Sequence, residues 1–190
     1  MQKSTFERKS TVLGIDACKD GWIVAKVQDE NLQLNMYEKF SDIIKAHETV
    51  TYILVDIPVG LPETKEEANQ RPEVDARKLL PKKASSVFTV PCKRAAEQST
   101  FEAANKINKQ VLGKGISKQS YYVMKKALEV NHYIEQNSES IHKIKESHPE
   151  LQFAQFTETK LPITASKKTV KGMQERAVLL VYLLQTQLNI

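Results

Sequence analysis

Two short apolar runs, each ending in an aspartate that is followed by a turn, constrain the fold more than any other feature. They are TVLGIDA at residues 11–17 and TYILVDI at residues 51–57. The second run is rich in β-branched side chains and predicts a strand buried on both faces, which ends near Asp56 because Pro58 cannot donate to a ladder. A chain with such runs needs a sheet in which to bury them.

Other patterns predict the strands that complete this sheet. WIVAKVQ follows the first run after CKDG, whose Asp-Gly pair is typical of a hairpin turn, and LQLNMYEKF alternates as a half-buried strand does. SDIIKAHE predicts a helix capped by Ser41. SIHKIKESHPELQF predicts the last strand, ended by Pro149, and TVKGMQERAVLLVYLLQTQL predicts a final helix.

The middle of the chain is polar and mostly helical in pattern. Its predicted helices are KEEANQRPEVDARKLL, AAEQSTFEAANKINKQVL and SKQSYYVMKKALEVNHYIEQ, joined by PKKASSVFTVP and GKG as loops. The order of elements predicts an α/β fold with a mixed five-stranded sheet flanked by helices and a long helical insertion between the fourth and fifth strands. We expect one domain, with a core at about residues 11–61 and 138–190 and the insertion at about 62–137.

Composition excludes several classes of protein. No apolar run is long enough to span a bilayer, and the polar N-terminus MQKSTFERKS lacks the apolar centre of a secretory signal. Two cysteines are too few for a disulfide framework. We therefore expect a cytoplasmic protein without a membrane partner.

Positive charge is concentrated in the predicted insertion. The chain carries a net charge of +5, and residues 78–126 hold 11 Lys and Arg against two Asp and Glu. Clustered cations favour an anionic partner such as nucleic acid, because they release counterions from phosphates. A solvated lysine-rich surface is the alternative interpretation.

The two strand-end acids are the first candidate site. If their strands are neighbours in the sheet, Asp16 and Asp56 emerge together at the edge where ligands of open α/β sheets bind. Converging carboxylates favour Mg²⁺ or Mn²⁺, which support two-metal hydrolysis of phosphodiesters. The alternative is that Asp16 begins a turn and Asp56 caps a strand end.

Seven motifs support a family resemblance. GIDACKDGW, DIPVGLP, RPEVDARKLL, SSVFTVP, SKQSYYVMKKALEVN, ESHPE and GMQER occur in the order found in an uncharacterised bacterial and archaeal family, domain of unknown function 429 (DUF429). The chain resembles this family from about residue 12 to residue 180. Its members are generally described as predicted nucleases of the ribonuclease H-like fold. The resemblance implies a ribonuclease H-like core with Asp16 and Asp56 as its first and middle metal-binding acids.

At one point the sequence departs from the pattern of the family that it resembles. Family members usually carry a further Asp-rich segment on a later helix, where related nucleases keep their last metal ligand. This sequence has no such segment after LLVYLLQTQLNI. The metal site is therefore expected to be one acid short.

The segment ESHPE offers further acids for the site. Alternation along a strand would place Glu146, His148 and Glu150 on one face. Either glutamate could then complete the metal site, with His148 as a base or as a donor to phosphate. A surface strand end with a locally packed histidine is the alternative.

The candidate substrate-binding residues lie mostly in the motif segments. The chain has only five arginines, and arginine binds phosphate or carboxylate through two parallel hydrogen bonds. The hydroxyl groups of the SSVFTVP loop and the start of the SKQSYY helix offer further phosphate contacts. The candidates are Arg71, Arg77, Ser85, Ser86, Arg94, Ser117, Gln119 and Arg176. For Arg176 the alternative is a structural salt bridge with an acid at the end of a sheet strand.

These features predict a metal-dependent nuclease or phosphodiesterase that acts on nucleic acid, DNA or RNA being undetermined. Its predicted catalytic residues are Asp16, Asp56, Glu146, His148 and Glu150, and the acids among them are the predicted ligands of Mg²⁺ or Mn²⁺. One alternative is a nucleotide-binding protein of the actin and sugar-kinase type, and another is a non-catalytic nucleic-acid-binding relic. The apolar final helix packs either inside its own domain or against a second copy in a homo-oligomer.

Overall fold

The computed structural model describes residues 11–28 and 31–187. Its strands are β1 (Val12–Cys18), β2 (Gly21–Gln28), β3 (Asn31–Tyr37), β4 (Tyr52–Val55) and β5 (Ile144–Glu146). They form one sheet in the order β3-β2-β1-β4-β5. The β1–β2 and β2–β3 pairs are antiparallel, whereas β1–β4 and β4–β5 are parallel. The mixed five-stranded sheet confirms the predicted α/β class.

Helices follow the third, fourth and fifth strands. They are α1 (Phe40–Ala46), α2 (Lys65–Asn69), α3 (Pro72–Leu79), α4 (Lys93–Ala96), α5 (Phe101–Leu112), α6 (Lys118–Gln136), α7 (Pro149–Phe156) and α8 (Val170–Gln187). Short 3-10 helices occupy Pro81–Ser86 and Ser138–His142. Helices α2 to α6 lie between β4 and β5 in the chain. Among the described residues, no helix is both long and apolar enough to cross a membrane.

Several predicted helices are shorter than their patterns suggested. KEEANQRPEVDARKLL divides into α2 and α3, because Pro72 cannot continue a helix but is well suited to begin one. The break between α4 and α5 ends where the Thr100 hydroxyl accepts a hydrogen bond from the Ala103 N–H. The prediction that Ser41 caps α1 is wrong, since Lys39 precedes that helix.

The predicted last strand is present but shorter than predicted. Strand β5 ends at Glu146, three residues before Pro149, and the segment from Pro149 onward forms α7, a helix that the sequence analysis did not predict. The physical reason is Pro149, which stands at the first position of α7. A backbone N–H at that position has no hydrogen-bond partner within the helix, so the absence of an N–H in proline costs nothing there. Glu150 therefore lies in the first turn of a helix.

The chain divides into two compact units. The first contains the residues up to Gly60 together with Lys125–Ser147, and so holds the sheet, α1 and most of α6. The second contains Leu61–Met124 together with the residues from His148 onward. The segment after β5 thus groups with the middle of the chain.

The core of the first unit lies on one face of the sheet. Trp22 and Phe40 are fully buried, with their rings edge-on at 5.4 Å between centroids. Glu129 of α6 accepts hydrogen bonds from the Trp22 indole N–H at 3.1 Å and from the Phe40 backbone N–H at 2.6 Å. These bonds fix α6 against the sheet. The buried strand residues of this core are Leu13, Ile15, Val24, Ile53, Val55 and Ile144.

The second unit is held together by a buried amide. Asn108 of α5 is fully buried; its side-chain oxygen accepts the Cys92 N–H at 2.8 Å and its amide donates to the Lys114 carbonyl at 2.8 Å. Burial raises the pKa of the Cys92 thiol, which therefore stays protonated at neutral pH. Both contacts anchor loops to α5.

Candidate functional site

Asp16 and Asp56 stand side by side at the ends of two parallel strands. Ile15 of β1 is paired with Val55 of β4, and each aspartate is the next residue along its chain. The Asp56 N–H donates to the Ile15 carbonyl at 2.9 Å, which continues the ladder one residue beyond β4. The two strands are therefore neighbours in the sheet, which is the condition under which the sequence predicted that Asp16 and Asp56 emerge together.

Both acids belong to the face of the sheet that points away from the core. Successive side chains of a strand alternate between faces, and Ile15 and Val55 are buried in the core. Asp16 is accordingly exposed and Asp56 is half-buried. Within residues 11–28 and 31–187, the Asp16 carboxylate makes no hydrogen bond or ion pair.

Glu146 occupies the opposite face. It is the register partner of Val55, so its side chain points to the core side of the sheet, away from the face of the two aspartates. There its carboxylate accepts the Val59 N–H at 2.9 Å. The strand register therefore separates Glu146 from the acid pair that it was predicted to complete.

The turn that follows Asp56 is fastened by two side chains. Glu146 of β5 holds the Val59 N–H, and the side-chain oxygen of Asn131 in α6 accepts the Gly60 N–H at 2.9 Å. Gly60 has a φ of 79°, a conformation that glycine adopts without strain. Sequence analysis missed Asn131, whose only sequence signal is a polar residue four positions after Ala127 on the buried side of α6.

Glu150 is bound by two cations. Arg176 of α8 donates to both of its carboxylate oxygens, at 2.7 and 2.8 Å, and Lys83 Nζ lies 2.7 Å from one of them. Glu150 and Arg176 are each only 8% exposed. The salt-bridge alternative for Arg176 is therefore the one observed, although its partner sits in α7 and not on a strand.

Titration of Glu150 follows from these contacts. Burial by itself raises the pKa of the carboxyl, but the hydrogen bonds from Lys83 and Arg176 and their positive charges lower it, and the net shift of the pKa is downward. Glu150 is therefore ionised at neutral pH and engaged with its two partners. His148, which is half-buried, is the residue immediately before α7.

Two of the candidate arginines bind their own unit. The Arg71 guanidinium lies 2.6 Å from the Glu73 carboxylate, and both side chains are largely buried. Arg77 of α3 donates to the Val87 carbonyl and, at 3.2 Å, to the Thr89 hydroxyl. Arg77 thereby holds the SSVFTVP loop against α3.

The other substrate-binding candidates are more accessible. Arg94 and Gln119 are exposed, and the Ser117 hydroxyl caps α6 by accepting the Ser120 N–H at 3.0 Å. Ser85 and Ser86 belong to a 3-10 helix, and their side chains lie outside the described part of the structure.

A group of exposed cations lies on the second unit. Lys106 and Lys109 share a face of α5, Lys114 lies in the turn between α5 and α6, and Lys118 is the first residue of α6. Arg94 is likewise exposed. We call Lys106, Lys109, Lys114 and Lys118 the lysine patch.

Metal ligands are sparse in the described residues. Across residues 11–28 and 31–187, no three His, Cys, Asp or Glu side chains gather closely enough to hold a metal ion by themselves. Asp16 and Asp56 are the carboxylates that the sheet brings together, and oxygen donors of this kind suit Mg²⁺.

Comparison with known proteins identifies a family and leaves its chemistry open. No curated protein and no solved structure matches the chain. The family model described as "Protein of unknown function (DUF429)" matches residues 14–188. This match includes both strand-end aspartates and the Glu150–Arg176 pair. The chain therefore belongs to the DUF429 family.

Proposed function

We propose that the chain is a divalent-metal-dependent phosphodiesterase that acts on nucleic acid, with Asp16 and Asp56 as its metal ligands. The observation that carries the proposal is the placement of two carboxylates at adjacent parallel strand ends, on the face away from the core. Ligands of open α/β sheets bind at such carboxyl ends. A structural role alone gives no reason to put two negative charges next to each other.

The two carboxylates fit a hard divalent cation. Mg²⁺ is commonly held by one or two protein carboxylates together with waters and substrate phosphate oxygens. When bound, such an ion activates water and stabilises the charge that develops on a phosphate group. Asp16, being exposed, leaves room for a phosphodiester to approach, and the turn fixed by Glu146 and Asn131 limits the positions that Asp56 can take.

Nucleic acid is proposed as the substrate because of the lysine patch. Its four ammonium groups are exposed, and the 78–126 segment around them is strongly basic. Lysines at helix surfaces contact phosphates without selecting a sequence. Arg176 and Lys83 do not contribute to this surface, because Glu150 holds both.

A non-catalytic nucleic-acid-binding protein is the second candidate. The observation in its favour is that Glu150 is bound by Arg176 and Lys83, and that Glu146 holds the Val59 N–H. These are the two acids that a nuclease site would need as further ligands. With two aspartates alone, binding without hydrolysis is the outcome this candidate predicts.

A cleavage assay tests the proposal. The purified protein is incubated with labelled single-stranded, duplex, hybrid and branched substrates in Mg²⁺, Mn²⁺ or EDTA. We expect metal-dependent cleavage that falls at least a hundredfold in Asp16→Asn and in Asp56→Asn. Asp42→Asn, which removes an exposed acid at the start of α1, is the matched control and should cleave as the wild type does.

Each other result has a meaning. Cleavage that persists equally in both strand-end variants points to a contaminating nuclease. Substrate binding without cleavage in either metal supports the second candidate. Thermal stabilisation by ATP and Mg²⁺, without affinity for any nucleic acid, contradicts both candidates and favours a nucleotide-binding protein.

A further inference from the structure

A third oxygen-bearing side chain stands beside Asp56 at the end of the sheet. The Ser147 N–H donates to the Val55 carbonyl at 2.9 Å, which continues the β4–β5 ladder one residue beyond Glu146. Successive residues of a strand point to opposite faces, and Glu146 points to the core side, so Ser147 belongs to the face of the two aspartates. We call Asp16, Asp56 and Ser147, which follow three adjacent strands on one face, the oxygen row.

The burial pattern along β5 agrees with this placement. Ile144 is buried in the core and Lys145 is exposed, so the side chains alternate between the two faces along the strand. Ser147 lies two residues after Lys145 and therefore shares its face. Ser147 is half-buried, as is Asp56 beside it. The hydroxyl thus stands at the carboxyl end of its strand, where ligands of open α/β sheets bind.

The Ser147 hydroxyl performs no structural task within residues 11–28 and 31–187. It makes no hydrogen bond with any of these residues. It does not cap α7 either, because His148 is the residue that precedes that helix and no side chain makes a capping hydrogen bond there. Glu146, by contrast, holds the Val59 N–H. A half-buried polar group without a partner in its own fold is available to a ligand.

We infer, on the basis of the proposed function, that the Ser147 hydroxyl is a further ligand of the metal ion at Asp56. Neighbouring strands lie about 4.8 Å apart, and the two side chains rise from the same face. Two oxygens that bind one Mg²⁺ at about 2.1 Å lie at most about 4.2 Å apart, a separation that adjacent strands allow. A hydroxyl and an aspartate also hold Mg²⁺ together in P-loop nucleotidases.

A neutral third ligand suits a substrate that is itself an anion. The carboxylates of Asp16 and Asp56 together balance the charge of one Mg²⁺, so a third carboxylate would give the site a net negative charge and repel a phosphodiester. The Ser147 hydroxyl adds a donor without adding charge. An octahedral ion with three protein donors keeps three positions for water and phosphate oxygens. Ser147 thereby takes the place in the site that was predicted for Glu146 or Glu150.

A matched pair of variants tests the role of the hydroxyl. Ser147→Thr and Ser147→Val have side chains of the same shape, and only the first keeps the hydroxyl. In calorimetric titrations the Thr variant should bind Mn²⁺ within about threefold of the wild type. The Val variant should bind about tenfold more weakly or worse, because even the outer-shell partners of metal ligands typically contribute ten- to a hundredfold. Ser140→Val, at a half-buried serine before the other end of β5, is the control and should bind as the wild type does.

A change of metal preference tests direct contact with the ion. Hydroxyl and carboxylate oxygens suit Mg²⁺ and Mn²⁺, whereas a thiolate suits Zn²⁺. Ser147→Cys is made in a Cys18→Ser background, because a thiol two residues after Asp16 on the same strand would also bind Zn²⁺; Cys92 is buried. We expect the ratio of Zn²⁺ affinity to Mn²⁺ affinity to rise at least about tenfold over that of the background.

Three results would overturn the assignment of Ser147 while leaving the proposed function in place. They are equal Mn²⁺ affinities in the Thr and Val variants, an unchanged metal preference in the Cys variant, and a Val variant that melts well below the Thr variant in EDTA, which indicates a structural hydrogen bond. In each case Asp56→Asn should still lose Mn²⁺ binding. A wild type that binds neither Mg²⁺ nor Mn²⁺, or an Asp56→Asn variant that binds undiminished, overturns the proposed metal site and the role of Ser147 together.

Discussion

Arg176 donates two hydrogen bonds to the Glu150 carboxylate, at 2.7 and 2.8 Å, and thereby joins α8 to α7 inside the second unit. Lys83 Nζ adds a third hydrogen bond from the 3-10 helix, 2.7 Å from the same carboxylate. The Arg176 guanidinium also lies 5.6 Å from the centre of the Phe153 ring. Three segments far apart in sequence therefore meet at one buried negative charge.

Removing that charge should destabilise the protein strongly. Glu150→Gln leaves Arg176 and Lys83 facing a neutral amide, and we expect a loss of about 3–5 kcal/mol in the free energy of unfolding, because uncompensated buried charges are costly. Urea denaturation measures the loss. Glu175→Gln breaks a longer, more exposed ion pair of 3.9 Å with Lys171 and should cost less than about 0.5 kcal/mol. Equal losses in the two variants would contradict the structural role of Glu150.

The same carboxyl predicts a loss of stability in acid. The pKa of Glu150 is lower in the folded protein than in the unfolded chain, so the unfolded chain binds the proton first as the pH falls. Its contribution is present above pH about 4.5 and is lost as the pH falls through the folded-state pKa. Thermal unfolding between pH 7 and pH 3 should show this fall in the wild type. A slope of the same size in Glu150→Gln would show that other groups cause it.

Glu146 should act as an anchor of the turn and not as a metal ligand. Glu146→Ala removes the acceptor of the Val59 N–H and should cost about 1–3 kcal/mol, whereas Glu146→Gln keeps a side-chain oxygen and should cost less than about 1 kcal/mol. Calorimetric Mn²⁺ titration separates the two roles. If Glu146 is an anchor, Glu146→Gln binds Mn²⁺ as the wild type does. If Glu146 is a metal ligand, Glu146→Gln and Glu146→Ala both lose affinity for Mn²⁺.

A metal ion at Asp16 and Asp56 should stabilise the fold. At ten times its dissociation constant, Mg²⁺ adds about 1.4 kcal/mol, or about 3–5 °C in Tm for a chain of this size. Asp16→Asn should abolish that rise, and without metal it should melt no lower than the wild type, because it relieves repulsion between neighbouring carboxylates. Scanning calorimetry with Mg²⁺ or with EDTA measures both predicted effects on Tm. An undiminished rise in Asp16→Asn would place the ion elsewhere.

The lysine patch should control the salt dependence of nucleic-acid binding. Changing Lys106, Lys109 and Lys114 to Gln removes up to three cations that can pair with phosphates, and the slope of log affinity against log salt should become shallower by about 0.9 for each phosphate that is no longer neutralised. Fluorescence anisotropy with a labelled oligonucleotide gives the slope. The control changes three exposed lysines elsewhere, Lys39, Lys45 and Lys167, and so removes the same charge. An identical slope in both triple variants would mean that only net charge matters.

Much of the sheet follows from local sequence patterns. The antiparallel β1–β2 and β2–β3 pairs join neighbouring strands, so a turn signal and an alternation of period two suffice to predict them. The end of β4 at Val55, one residue before Asp56, follows from Pro58, which has no N–H to donate. The last strand was predicted to end at Pro149 and ends at Glu146, but α7 was missed, because Pro149 was taken only as the end of a strand and not also as the start of a helix.

Each short segment alone predicts that an aspartate follows an apolar strand, because that is a local property. The positions of β1 next to β4, of Glu146 on the other face of the sheet, and of Glu150 against Arg176 are known only from the folded chain. Which strands lie side by side, and which cation pairs with a carboxylate, depends on residues that are distant in the chain. Burial and charge pairing bring these residues together only in the folded molecule. Local sequence patterns therefore do not predict these contacts.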